Sequence, residues 1–133
     1  QFSMYRNGVS AKLPDILVKE IDSVNIKTFS NGLFIDCFDN FKARKTVKDF
    51  VDEMGYDCLH IGFSPKMTFE ISWNENYKVP DDVMGDFDIC QAEGARSFIQ
   101  LVTALATSTI VEFVKYGVKR EFIGNKFNVT RIT

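Results

Sequence analysis

From about Gln91 to Tyr116 the chain carries Phe98, Ile99, Leu101, Val102, Leu105, Ile110, Val111, Phe113 and Val114 at helical spacing, so the segment is apolar on most of its sides. A helix of that kind has to be covered by other elements. Its many β-branched residues lower intrinsic helix propensity, so burial rather than propensity must hold it. The small and hydroxyl residues Ala95, Thr103, Ala104, Ala106, Thr107 and Ser108 let neighbouring backbones come close, and Gly117 is placed to cap the helix. Phe98, Leu101 and Leu105 are expected in the core, and the rest of the chain must supply the cover.

That cover reads as hairpins. Val24, Ile26 and Thr28, then Ser30-Asn31-Gly32, then Leu33, Ile35 and Cys37 alternate around a tight-turn signal. Cys58, His60 and Gly62 alternate with Leu59, Ile61 and Phe63; Ser64-Pro65-Lys66 breaks the run, and Met67, Phe69, Ile71 and Trp73 resume it with period two. Val118 to Ile123 and Lys126 to Ile132 flank Gly124-Asn125 as a third hairpin. Two shorter helices are expected. One follows Pro14 through Leu13, Ile16, Leu17 and Ile21, and the other runs from about Ala43 to Met54 with Val47, Phe50, Val51 and Met54 on one face and Gly55 as cap. The polar side chains of that second helix, Lys42, Arg44, Lys45 and Lys48 among them, are assigned to its other faces. The fold class is therefore α+β: an antiparallel sheet of about six strands from three hairpins, a long central helix on one face and two shorter helices.

The 133 residues make one domain, with a core large enough to need no disulfide or metal. Gln1, Phe2 and Ser3 precede Met4 and read as a purification-tag remnant, leaving 4–133 as the domain. Thirteen phenylalanines against one tryptophan imply a phenylalanine-rich core. Cys37, Cys58 and Cys90 form an odd set without a CxxC pair, which argues for free thiols and a cytoplasmic setting. No apolar run reaches the roughly 18 residues that a membrane-spanning helix needs, so no membrane partner is expected.

Motifs for chemistry are weak. His60, the only histidine, lies two residues after Cys58 on one strand face. A thiolate–imidazole pair could serve a nucleophile or, with Cys37 and Cys90, zinc, but the paired spacings of a metal site are missing and both residues read as structural. No glycine-rich phosphate loop can be written. Asp81, Asp82, Asp86 and Asp88 offer oxygens as a calcium loop does, yet Val83 and Met84 interrupt them and no closing glutamate follows. The expectation is no enzyme, no cofactor and no metal.

Charge is the informative feature. The whole chain is at −2, but Glu70, Glu75, Asp81, Asp82, Asp86, Asp88 and Glu93 stand against Lys78 alone between 70 and 93, a net of −6. Lys115, Lys119, Arg120, Lys126 and Arg131 oppose only Glu121 near the end, a net of +4. Acidic side chains interleaved with rings suit a basic partner protein, carboxylates steering and aromatics anchoring. The leading reading is a non-enzymatic binding domain of the inhibitor, immunity or adaptor kind. It would grip a basic toxin or nuclease through Trp73, Glu75, Tyr77, Asp81, Asp82, Asp86, Phe87 and Asp88. A solvated acidic connector is the plainer account of the same residues. The alternative is a nucleic-acid module using Lys119, Arg120, Lys126 and Arg131 with Tyr116, Phe122 and Phe127, which would need Lys42, Arg44, Lys45 and Lys48 beside it to make a patch.

Overall fold

The computed structural model describes residues 3–6, 9–12, 18–29, 31–64, 66–82 and 91–133. The fold is α+β, with β1 (Ser3–Arg6) and β2 (Val9–Lys12) in a separate two-stranded antiparallel ribbon. The main sheet contains β3 (Phe34–Asp36), β4 (Cys58–Phe63), β5 (Thr68–Trp73), β6 (Phe122–Asn125) and β7 (Val129–Arg131), in that order. Two α-helices cross between strands: α1 (Phe41–Met54) joins β3 to β4, and α2 (Ala95–Tyr116) lies between β5 and β6. The sheet is mixed. β3 runs parallel to β4, because α1 carries the chain back to the starting end, whereas the other three pairings are antiparallel.

The expected first hairpin is thus not formed, and its first arm is a 3-10 turn, Asn25–Thr28. Asp22 Oδ1 accepts from the Val24 and Asn25 amides at 2.8 and 2.7 Å, and Asn25 Oδ1 accepts from the Asp22 amide at 3.0 Å. These local side-chain bonds compete successfully with strand pairing. The second hairpin forms as expected, Leu59 opposite Trp73 and Phe63 opposite Phe69. The third forms with its turn displaced: Gly124 is a strand residue paired with Val129, and the Asn125 amide donates to the Asn128 carbonyl at 2.8 Å around Lys126 and Phe127. Of the expected helix near Leu13–Ile21, residues 13–17 lie outside the described residues and 18–22 are irregular. The two-stranded ribbon was not expected, and Ser3, assigned to a tag, belongs to it.

Each face of the sheet takes one helix. Alternation puts Leu59, Phe69, Ile71 and Trp73 on the side of α2, where they meet Phe98, Val102 and Ala106. Phe98 is fully buried, with Phe63 and Phe69 at ring centroids of 5.6 and 6.0 Å, while Leu101 and Leu105 are only half-buried. The opposite face takes α1 through Val47, Phe50 and Val51, which pack with Ile26 and Cys58. Asn40 caps α1 by accepting from the Ala43 amide, and Gly55 and Gly117 end the two helices in the left-handed region at φ 67° and 66°, as their spacing implied. α2 is, contrary to expectation, long and apolar enough to span a bilayer by length and composition, with mean hydropathy 1.5 in its most apolar window. Here its inner side packs on the sheet, and Val111 and Val114 remain exposed on its outer side.

Candidate functional site

The acidic connector leaves β5 and climbs the sheet face beside α1 as an irregular strap, residues 74–82. It is tied at its base: the Asn74 amide donates to the Cys58 carbonyl at 2.9 Å, Asn74 Oδ1 accepts from the Cys58 amide at 3.0 Å, and Asn76 Nδ2 donates to the buried Glu121 at 2.9 Å. Its far end reaches the start of α1, where Asp82 Oδ1 accepts from the Phe41 amide at 2.5 Å. A carboxylate there also suits the positive end of the helix.

Two of the three rings expected to anchor a partner, Trp73 and Tyr77, point inward. Trp73 is 1% exposed in the α2 core, packed on Phe113, with its indole N–H donating to the Arg120 carbonyl at 3.1 Å. Tyr77 is 5% exposed. The period-two run through Trp73 already implied a core position, because that residue shares a strand face with Phe69 and Ile71. Glu75, Asp81 and Asp82 are exposed, Glu75 paired with Lys119. Asp86, Phe87 and Asp88 lie outside the described residues, as does Cys90.

Under the strap is a polar cluster that sequence reasoning did not assemble. Asp36, His60 and Ser72 are register partners on β3, β4 and β5, sharing the α1 face and each at most 2% exposed. His60 Nδ1 lies 2.7 Å from Asp36 Oδ2, so with the carboxylate ionised the Nδ1–H donates. Asp36 Oδ1 also accepts from the Phe38 amide at 2.9 Å. From α1, Arg44 places Nη1 3.6 Å from Asp36 Oδ2 and donates to Tyr77 Oη and to the Ile61 carbonyl, each at 2.9 Å. The Tyr77 ring stacks on the imidazole at a centroid distance of 3.9 Å and 10° between planes. Ser72 turns away from His60 and donates to Glu70 Oε1 at 2.6 Å, leaving His60 Nε2 buried with no hydrogen-bond partner.

Arg44 was assigned to a solvated face and is instead 7% exposed. The clue was available, since 44, 47 and 51 fall on one stripe of a helix. Burial pushes the Tyr77 phenol above its ordinary pKa, with Arg44 opposing the shift. Cys58 is fully buried in the α1 core, and its thiol is pushed up to about 12, chiefly by burial and then by the Asp36 carboxylate, which disfavours the thiolate. No group of three His, Cys, Asp or Glu among the described residues could hold a metal ion.

The basic candidates are mostly engaged. Lys119 bonds to Asp57 at 2.5 Å and to Glu75; burial pulls its ammonium down, but those two bonds more than offset it and its pKa ends above the ordinary lysine value. Arg120 pairs with Glu112, Lys126 sits 4.9 Å over the Phe127 ring, and Arg131 donates to the Thr133 carbonyl at 2.5 Å. On α1, Lys45 and Lys48 pair with Asp49 and Asp52. On the other sheet face, Ile61, Phe63, Ile99, Val102, Ala106 and Ile110 line an apolar groove of about 280 Å³ between α2 and β4, with Cys37 at its edge. Scanned against protein-family models and searched against curated proteins, the sequence matches none.

Proposed function

We propose that the chain is a non-enzymatic protein-binding domain of the inhibitor, immunity or adaptor kind that engages a basic partner protein through the outer side of the strap. The observation that carries the reading is the strap's attachment: Asn74, Asn76, Tyr77 and Asp82 hold it to the domain while Glu75, Asp81 and the rim of Asp82 face solvent. A pre-ordered acidic ribbon loses little conformational freedom on binding. Its carboxylates would steer a basic partner, and its one ring, Tyr77, holds the ribbon to the domain instead of entering the partner. Cys58, His60 and Ser72, the groups with nucleophile or base chemistry in this region, are sealed at 2% exposure or less, which supports a binding role over a catalytic one.

The test is affinity capture from lysate with nuclease present, then association kinetics with the isolated partner. Asp81→Lys combined with Asp86→Lys and Asp88→Lys should slow association at low salt by about tenfold or more, with little change in dissociation. Unchanged association, or capture that disappears with nuclease, refutes the reading.

A further inference from the structure

The inner side of the strap points to something separate. The parts around Tyr77 are fixed without it. Asp36 holds the imidazole from β3, and the Arg44 guanidinium is held by the Ile61 carbonyl and passes over Gly62, where a Cβ would lie 3.7 Å from Nη2. The sheet and α1 therefore present a flat imidazole face and, beside it, a cationic donor aimed at the phenol oxygen. Tyr77 is the only member that comes from the strap, and the only buried side chain between Glu75 and Asp82. Between its tethers at Asn76 and Asp82 the strap buries Tyr77 and, only in part, Val79, so local opening of this stretch costs little more than release of that ring. The closed form also buries His60 Nε2 with no protein hydrogen-bond partner, a cost that opening to solvent relieves.

We propose that Tyr77 is a displaceable plug and that the place it fills is a binding site for a neutral phenol ring, either a free small phenol or the tyrosine side chain of another chain. The ring would stack on His60 and accept from Arg44 Nη1, as Tyr77 does. Neutrality follows from the local charge: the Asp36 carboxylate already faces the Arg44 guanidinium, so an arene carboxylate would add a second negative group to a buried site. The inference uses the strap's inner side and does not depend on the acidic outer surface.

Two measurements decide it. Hydrogen exchange of the unmodified protein should show the amides of 75–82 exchanging through an opening that leaves α1 and β4 protected; exchange of those amides only with unfolding of the whole domain overturns the proposal. Tyr77→Ala should bind p-cresol saturably, with a raised melting midpoint and affinity at least about tenfold above that for toluene, which lacks the acceptor. The variant should not bind 4-methylbenzoate. No saturable binding, or equal binding of toluene, overturns it. N-acetyltyrosinamide separates the sources, since binding of p-cresol alone assigns a free phenol and binding of both assigns a tyrosine side chain. Should Tyr77→Ala not fold, Tyr77→Phe keeps the ring and removes the oxygen; strap exchange must then quicken, and unchanged exchange overturns the proposal.

Discussion

Replacing Arg44 with methionine removes a cation from the middle of the buried cluster, the guanidinium that lies over Gly62, while keeping an unbranched apolar stem. The Asp36 carboxylate, whose side chain is fully buried, would retain the His60 and Phe38 N–H bonds but lose the charge facing it at 3.6 Å. Tyr77 Oη and the Ile61 carbonyl would each lose a donor. Removing one partner of a buried ion pair costs about 3–5 kcal/mol, because the other charge remains without compensation. A domain of this size has only about 5–15 kcal/mol of stability, so Arg44→Met should remove a large part of it. Adding Asp36→Asn removes the stranded charge, and the amide oxygen can still accept from His60 Nδ1–H. The double variant should therefore be more stable than the sum of the single effects by about 1–3 kcal/mol. Urea titration followed by the fluorescence of Trp73, the single tryptophan, measures all four proteins. A cost below about 1 kcal/mol for Arg44→Met, or strict additivity in the cycle, would show that Asp36 and Arg44 do not compensate each other.

Two other expectations are independent of that cluster. In Gly124→Ala the new Cβ would overlap the Asn128 carbonyl oxygen and come to 3.1 Å from the Phe69 ring, so the β6–β7 hairpin should loosen at about 1–3 kcal/mol, read as a shift of the urea midpoint; an unshifted midpoint refutes the close approach. Iodoacetamide at pH 8 should label Cys37 slowly and leave Cys58 unlabelled until the domain unfolds. Burial raises both thiols and so lowers their thiolate fraction at that pH, Cys58 the more strongly; peptide mass spectrometry showing equal labelling would contradict this.

Local signals carried much of the fold. The stripe of Val47, Phe50 and Val51 with Gly55 behind it marked α1, and Gly117 marked the end of α2, because caps and helical periodicity act over a few residues. The β4–β5 hairpin was legible from alternation on both arms. The direction of β3 was not, since parallel pairing with β4 depends on a helical crossover, while Asn31-Gly32 read alone favours a hairpin. That pairing also decides the site. With Phe34 beside Cys58, Asp36 falls on the His60 side of the sheet, whereas the apolar run Leu33, Ile35 and Cys37 had drawn attention to the other face. Tyr77 sits in irregular chain, where no periodicity reports which way a ring turns.

The order of strands across the main sheet follows the order of strands along the chain. Growth of the sheet can therefore proceed from one side, each strand docking on an edge that its predecessor has just completed: β4–β5 and β6–β7 close short loops, α1 separates β3 from β4, and α2 with its preceding connector separates β5 from β6. During synthesis β3, α1, β4 and β5 would leave the ribosome able to pair with one another, and the half-built sheet would wait for α2 to cover its apolar face and for β6 to pair with β5. Shortening the chain from its C-terminal end should be correspondingly graded: loss of β7 removes three exposed residues and bares one edge, whereas a cut before α2 exposes Leu59, Phe69, Ile71 and Trp73 together.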